Sequence, residues 1–290
     1  MAADLLLNVP KGVTSVSQLD AGDRIRFLAS LPEVSRPFIS EWFRQNPDTK
    51  QKADLSPVTV ADQKIEVALR GVIQKAFPDD AIQGEEFGSI KAIDAHRFCW
   101  VIDPIDGTKA FISGKPVFGT LVGLTDHGVP LAGLIDMPVL NETNIGHVLG
   151  KSQSHEPSQS GCQLNAALVR PSQCQNLTAA RIATTSPLAF SPAGLIGFNH
   201  LAAQAAVTSY GGDCHNYGLL AAGHIDLVME DNLAPHDMIA VVAVMQAAGA
   251  VVTDTVGQPI RLGQSTSILA AATADLHAAA LTVLAQLAAG

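Results

Sequence analysis

With 290 residues, 47% of them apolar and 16% charged, the chain is long enough for one large core or two closely packed halves. A net charge of −9 argues against nucleic acid as a partner. Four cysteines without a CxxC pair exclude a zinc ribbon, and no run approaches the ~18 uninterrupted apolar residues of a membrane span.

Residues 1 to about 18 read as a loose arm. Its apolar run Leu5–Leu7 is too short, and its start too free of basic residues, for a signal peptide, so a cytoplasmic protein is expected. Leu19 to Phe43 carries apolar residues at helical spacing, with Pro32 and Pro37 placed to split or kink the helix. Gln45 to Ser56 is polar and predicts a mobile loop. Thr59-Val-Ala-Asp62 predicts a capped helix that Pro78 ends. Ala81 to Gly88 is a short strand with Glu85 and Glu86 at its end, and Ser89 to His96 a linker. Phe98 to Ile102 is a buried strand, broken off by Asp103-Pro-Ile-Asp-Gly-Thr108. Val117 to Leu124 and Val129 to Ile135 form an antiparallel hairpin around Thr125-Asp-His-Gly128. Residues 150 to 165 suggest a surface loop.

From Ala180 onward the texture changes. Short β-prone runs (181–185, 205–210, 225–230, 250–254 and 268–272) alternate with Ala-rich helical segments (217–223, 238–249 and 275–289), the pattern of an α/β layer. The first half reads as α+β and the second as α/β, with no linker between them. A single catalytic domain over 1–290 is expected, with subdomains at about 19–148 and 165–290.

Acids stand at four element boundaries: Asp62, Glu85 with Glu86, Asp103 with Asp106, and Asp237. Each has a plain structural reading. Asp62 can be the N3 partner of Thr59, Glu85 and Glu86 solvated turn acids, and Asp237 an N-cap. Asp103 and Asp106 are harder to explain that way. Two carboxylates at the exit of a buried strand lose solvent unless a cation meets them, and a hard divalent ion such as Mg²⁺ suits clustered oxygens. The histidines show no HExxH-like spacing, and His236 reads as a loop residue near the site rather than a ligand.

Gly84-Glu-Glu86, Asp103-Pro-Ile-Asp-Gly-Thr108 and Asp237-Met-Ile-Ala, in this order and with Thr59-Val-Ala-Asp62 ahead of them, resemble the signatures of the inositol monophosphatase-like phosphatases. Lys109 to Thr120 and Gly211-Gly-Asp-Cys-His-Asn-Tyr217 are most similar to the histidinol-phosphate phosphatase branch. Leu233-Ala-Pro-His-Asp237 departs from that branch in carrying histidine for tyrosine.

The resemblance implies a layered α-β-α-β-α sandwich and a metal-dependent phosphomonoesterase using two to three Mg²⁺ ions. Glu85, Asp103 and the Ile105 carbonyl are expected to hold the first ion, and Asp103, Asp106 and Asp237 the second. Asp62 with Glu85 is expected to hold a weaker third. Gly107 and Thr108 are expected to offer N–H groups to the phosphate at a helix start. Thr108 and Glu85 are expected to orient the attacking water. Asp213 and Glu230 are expected to face the alcohol half of the substrate. An acid at 213 suits the ammonium and imidazole of L-histidinol phosphate, which would place the enzyme in histidine biosynthesis. Inositol 1-phosphate and 3′-phosphoadenosine 5′-phosphate remain alternative substrates, and a non-catalytic binding protein on the same fold a remote one. A homodimer acting on a small metabolite is implied.

Overall fold

The computed structural model describes residues 20–45, 49–51, 57–91, 96–149 and 161–289. The predicted N-terminal helix is two helices, α1 (Ala21–Leu28) and α2 (Pro32–Trp42). Pro32 opens α2 at a first-turn position where its missing N–H costs nothing. In the predicted 45–56 loop, β1 (Thr49–Gln51) pairs antiparallel with β2 (Pro57–Thr59), while 46–48 and 52–56 lie outside the described residues. So do the predicted arm up to residue 19, the middle of the 89–96 linker and residues 150–160.

Helix α3 (Val60–Ala76) starts where expected, with Thr59 as its cap. Then come β3 (Ala81–Gly84), β4 (Gly88–Ile90), β5 (Phe98–Asp106), the five-residue α4 (Thr108–Ile112), β6 (Gly119–Asp126) and β7 (Val129–Met137). Three strands not expected from the sequence follow: β8 (Glu142–His147), β9 (Gly161–Leu164) and β10 (Ala167–Val169). The predicted 150–165 loop therefore ends in strand, because β9 adds to β8 and passes its burial to Cys162.

β3 to β10 form one eight-stranded sheet in the order β10-β9-β8-β7-β6-β5-β3-β4. The second half supplies β11 (Arg181–Thr184), α5 (Pro192–Ala202), β12 (Val207–Tyr210), α6 (His215–Ala221), β13 (Leu227–Glu230), α7 (Pro235–Ala248), β14 (Val251–Thr253), β15 (Ile268–Ala271) and α8 (Ala274–Ala289). Its five strands order as β12-β11-β13-β15-β14, with β12, β11 and β13 parallel.

The layers follow from which faces are apolar. Along β5, Phe98, Trp100 and Ile102 face α1 to α3, while Cys99 and Val101 face Ile239 of α7. A strand covered on both faces is apolar at every position, which is why this run has no alternation. α6 and α7 fill the space between the sheets, packing on Leu121 and Ile135 on one side and Val228 and Ile268 on the other. α5 and α8 cover the far side of the smaller sheet through Phe198, Leu201 and Leu276. The result is the α-β-α-β-α sandwich. From Met238 to Met245 every residue of α7 is buried, as a helix walled by two sheets requires.

α7 can lie this close because three glycines line up beneath it. Gly123, Gly133 and Gly146 are cross-strand neighbours on β6, β7 and β8. A methyl at Gly123 would stand 2.6 Å from Ile239 Cγ2, one at Gly146 would stand 2.8 Å from Val244 Cα, and one at Gly133 would run into the Ala240 carbonyl.

Candidate active site

Strands β3 and β5 are parallel, with Gly84 opposite Ile102, so Glu85 and Asp103 leave the sheet side by side at its C-terminal edge. The Glu85 turn is fixed from below. Its N–H donates to the Ile102 carbonyl at 3.1 Å, and the N–H groups of Glu86 and Phe87 donate to the buried Glu66 carboxylate at 2.7 and 3.2 Å. Glu66 also accepts from Arg70 Nε at 2.7 Å. A side chain at position 84 would strike Glu66, so glycine is required there.

Residues three apart on a regular strand point to opposite faces. Asp103 and Asp106 nevertheless serve one site, because the pairing of β5 with β6 slips between them. Pro104 sits in this bulge, the place in a sheet where its missing N–H is tolerated, and its carbonyl accepts from Thr120 Oγ1 at 2.9 Å. Gly107 then takes a left-handed conformation, φ 86°, and caps α4. A Cβ at Gly107 would lie 3.0 Å from Asp213 Cγ, so the backbone passes close to that acid. Thr108 Oγ1 donates to the Ile105 carbonyl at 3.1 Å. α4 is a single turn, so its contribution at this point is its local N–H groups rather than the dipole of a long helix.

Asp237 is the N3 residue of α7, where it accepts the Ala234 N–H at 2.7 Å. The expected N-cap position belongs to Ala234 instead, because the helix already starts at Pro235; Asp237 caps from N3 and uses Oδ2 to do so. Asp62 behaves likewise. Its Oδ2 accepts from the Thr59 N–H at 2.9 Å and from the Thr59 hydroxyl, while its buried Oδ1 has no hydrogen-bond partner. Asp103 Oδ1 is buried and unpartnered as well. Carboxylate oxygens from Asp103, Asp106 and Asp237 lie within 4.8 Å of one another, and so do ligand atoms of Glu85, Asp103 and His236. His236 is the participant that reading the sequence set aside. No spacing motif marks it, since its nearness to Glu85 arises only when α7 docks on the sheet.

The electrostatics suit a bound cation. Burial, then Glu85, Asp106 and Asp237, push the Asp103 pKa well above the ordinary carboxylate range. Burial, Asp213 and Asp237 do the same to Asp106. Burial, reinforced by Glu85, raises Asp62 to about 6 against its bonds from Thr59. In the metal-free protein such raised acids favour the fold below their unfolded pKa of 3.8, and that contribution is lost as pH rises through about 6. A cation must displace those protons, so its stabilising effect has the opposite pH dependence. The melting-temperature difference between saturating Mg²⁺ and EDTA should therefore grow from pH 5 to pH 7.5. His147 and His277, whose pKa values burial lowers, affect both arms equally and cancel. A difference independent of pH would count against these acids as the cation site.

Beyond the acids the C-terminal ends of the parallel strands β11, β12 and β13 open onto a cavity of about 160 Å³. Asp106, Asp237, Asp213, Glu230, Phe190 and Asp231 are among the residues that line it. Burial and Glu230 raise the Asp213 pKa to about 6, partly offset by Lys109 and Lys115. Glu230 is more committed than its predicted role suggests. It accepts from Thr185 N–H at 2.7 Å, Thr185 Oγ1 at 2.5 Å and Tyr217 OH at 2.7 Å, and is 7% exposed. It shapes the wall and offers little free valence. Thr185, Phe190 and Asp231 carry no sequence motif; their position just past the ends of β11 and β13 is the only signal that could have found them.

Comparisons with known proteins give the family. The profile of the Inositol monophosphatase family matches residues 34–288. The chain is 39% identical over 280 residues to the bifunctional phosphatase IMPL2, chloroplastic, of Arabidopsis thaliana, covering 93% of this chain and 78% of that one. It is 33% identical over 231 residues to the histidinol-phosphatase of Streptomyces coelicolor, covering 78% and 83%. Among solved structures, an inositol monophosphatase from Zymomonas mobilis superposes with a TM-score of 0.79 at 35% identity, covering 92% of this chain and all of that one. With its acids gathered at the sheet edges and a match along nearly its whole length, this chain belongs to the inositol monophosphatase family of phosphatases.

Proposed function

We propose that the protein is a Mg²⁺-dependent phosphomonoesterase that hydrolyses L-histidinol phosphate to L-histidinol and phosphate, a step of histidine biosynthesis. The observation that carries the substrate choice is Asp213, a carboxylate that lies against Gly107 and lines the cavity beside the acid cluster. A substrate whose phosphate lies at Gly107 and Thr108 would bring its alcohol half against this acid. Histidinol offers it a cation, and a charge-assisted hydrogen bond is about twice as strong as a neutral one. Phe190 adds an aromatic wall for a flat ring.

In this reading Glu85, Asp103 and the Ile105 carbonyl hold one ion, Asp103, Asp106 and Asp237 a second, and Asp62 with Glu85 a weaker third. Bound Mg²⁺ would neutralise phosphate charge and lower the pKa of water, which is the chemistry a phosphomonoester dianion needs. The chain does the positioning. First-turn N–H groups at Gly107 and Thr108 have no acceptor within their helix and can take phosphate oxygens. Thr108 Oγ1 donates its hydrogen bond to the Ile105 carbonyl, which leaves its lone pairs to accept from an attacking water. Glu85 accepts a hydrogen bond from the other proton of that water and orients it, and Asp62, with a pKa of about 6, is placed to hold a proton near neutrality when the third ion is absent.

We take residues 1–290 as one catalytic unit, with subdomains at about 19–148 and 165–290, because α7 of the second packs on the strands of the first. No helix among the described residues is long and apolar enough to cross a membrane. All four cysteines are unbonded, which supports a reducing compartment such as the cytoplasm. A homodimer is part of the proposal, and sedimentation equilibrium checks it.

The test is purified protein with Mg²⁺ and three substrates side by side: histidinol phosphate, inositol 1-phosphate and 3′-phosphoadenosine 5′-phosphate. Histidinol phosphate should give the highest kcat/KM. Asp213→Ala should raise KM for histidinol phosphate by about 10- to 100-fold, the loss of one charged contact, and change that for inositol 1-phosphate far less. Equal losses on both substrates would remove Asp213 as the selective residue.

A further inference from the structure

We propose that His236 is a nitrogen ligand to the cation held by Glu85 and Asp103, which turns this half of the centre from a Mg²⁺ site into one that favours Mn²⁺ and related transition ions. The inference rests on the phosphatase reading above and deepens it by naming a ligand and a metal preference.

Three observations meet at this point. First, one ligand atom from each of Glu85, Asp103 and His236 lies within 4.8 Å of the others, close enough to share one ion. Second, Asp103 is 2% exposed and its Oδ1 has no hydrogen-bond partner among the described residues. An unpartnered buried acceptor of this kind is costly unless a cation completes it. Third, no hydrogen bond among the described residues holds the imidazole. Its Nε2 stands 3.6 Å from Asp237 Oδ1, beyond a hydrogen bond. Its side chain is 20% exposed, so it is neither packed in the core nor loose in solvent. His236 also lies outside the cavity that Asp213 and Phe190 line, so it has no place against the alcohol half of the substrate.

Local structure explains why a histidine reaches this far. Position 236 is the second residue of α7, just after Pro235. Side chains of a helix lean toward its N-terminus, so one at this position extends past the end of the helix toward the β3 and β5 edge. Asp237, one residue later, uses the same lean to reach Asp103 and Asp106. Adjacent residues of one helix turn thus address two neighbouring clusters that share Asp103.

The chemical consequence follows from ligand type. Mg²⁺ demands oxygen donors and keeps much of its water, whereas imidazole suits later first-row ions, whose affinity for mixed N/O sites rises along the Irving–Williams order. One nitrogen among carboxylates leaves Mg²⁺ able to bind but shifts the balance toward Mn²⁺.

The experiment uses the full-length protein stripped with EDTA and titrated with Mn²⁺. Pulsed EPR of the bound ion should show ¹⁴N modulation from a coordinated imidazole, absent in His236→Ala and His236→Gln. Calorimetric titrations should show the preference for Mn²⁺ over Mg²⁺ falling by about tenfold or more in both variants, at least the cost of losing a group that merely supports a ligand. Unchanged melting of both variants in EDTA shows that the fold is intact. Bound Mn²⁺ without ¹⁴N modulation, or modulation that persists in His236→Ala, overturns the assignment and leaves the phosphatase reading standing. No binding of either ion, with no Mg²⁺-dependent hydrolysis, overturns both.

Discussion

Asp103→Asn is expected to lower kcat/KM by roughly 10³-fold or more while raising the melting temperature of the metal-free protein. The two effects have one origin. Asp103 is the residue shared by both ligand clusters, so losing its charge weakens cation binding in each. Removing a single preorganised charge-stabilising group costs an enzyme about 10²–10³ in rate, and a residue serving two ions should exceed that. Without metal, the same carboxylate is 2% exposed, has an unpartnered oxygen, and shares its surroundings with Glu85, Asp106 and Asp237. Its pKa is driven up because ionising it there is unfavourable. Asparagine keeps the shape of the protonated acid and never ionises. At pH 8 the variant in EDTA should therefore melt a few degrees above the unsubstituted protein, since 1 kcal/mol is about 2–4 °C for a domain of this order of size. Adding Mg²⁺ should reverse the ranking. Steady-state kinetics and thermal melts with and without metal check both halves. Near-normal turnover would remove the metal reading of this residue.

Gly133→Ala is expected to be the most damaging single-methyl change in the core. Its Cβ would meet the Ala240 carbonyl in the backbone of α7, which cannot rotate away as a side chain can. Overpacking costs about 1–3 kcal/mol and occasionally more, and a backbone collision belongs at the upper end. The melting temperature should fall by about 6 °C or more. Gly71→Ala is the contrast. It lies exposed within α3 with nothing within 4 Å of a new Cβ, and should stabilise the protein by about 0.5–1 kcal/mol through helix propensity alone. Chemical denaturation of the two variants beside the parent decides the matter. An unchanged Gly133→Ala would mean that α7 does not sit against β7 as described. Because α7 carries Asp237 at its start, the same substitution should weaken Mg²⁺ binding, which calorimetry reads independently of stability.

What the residues announce in advance depends on how local the cause is. Asp103-Pro-Ile-Asp106 stands out because two acids and a proline at the end of an apolar run contradict a buried strand, and the bulge resolves that contradiction. The cap at Thr59 and Asp62 is equally local. The inner strands of the second half, β13 and β15, are visible because strands buried on both faces are mostly apolar. β8 is not, since Glu142 to His147 is mostly polar and becomes a strand only by pairing with β7 and β9. α5 is obscured by Gly194 and Gly197, which lower helix propensity but let the helix lie close to Asp231 and Leu284. His236 is the clearest case of information absent from spacing. Its distance from Glu85 along the chain is large, and only the seating of α7 between two sheets closes it.

That seating has a practical consequence for altering the protein. Asp237 and His236 ride on the most tightly confined helix of the molecule, whereas Phe190, Asp213 and Asp231 sit in connecting segments at the margin of the smaller sheet. Redesigning which phosphorylated alcohol is accepted is thus a problem of grafting rim segments. Changing how the ester is cleaved means rebuilding the centre of the molecule.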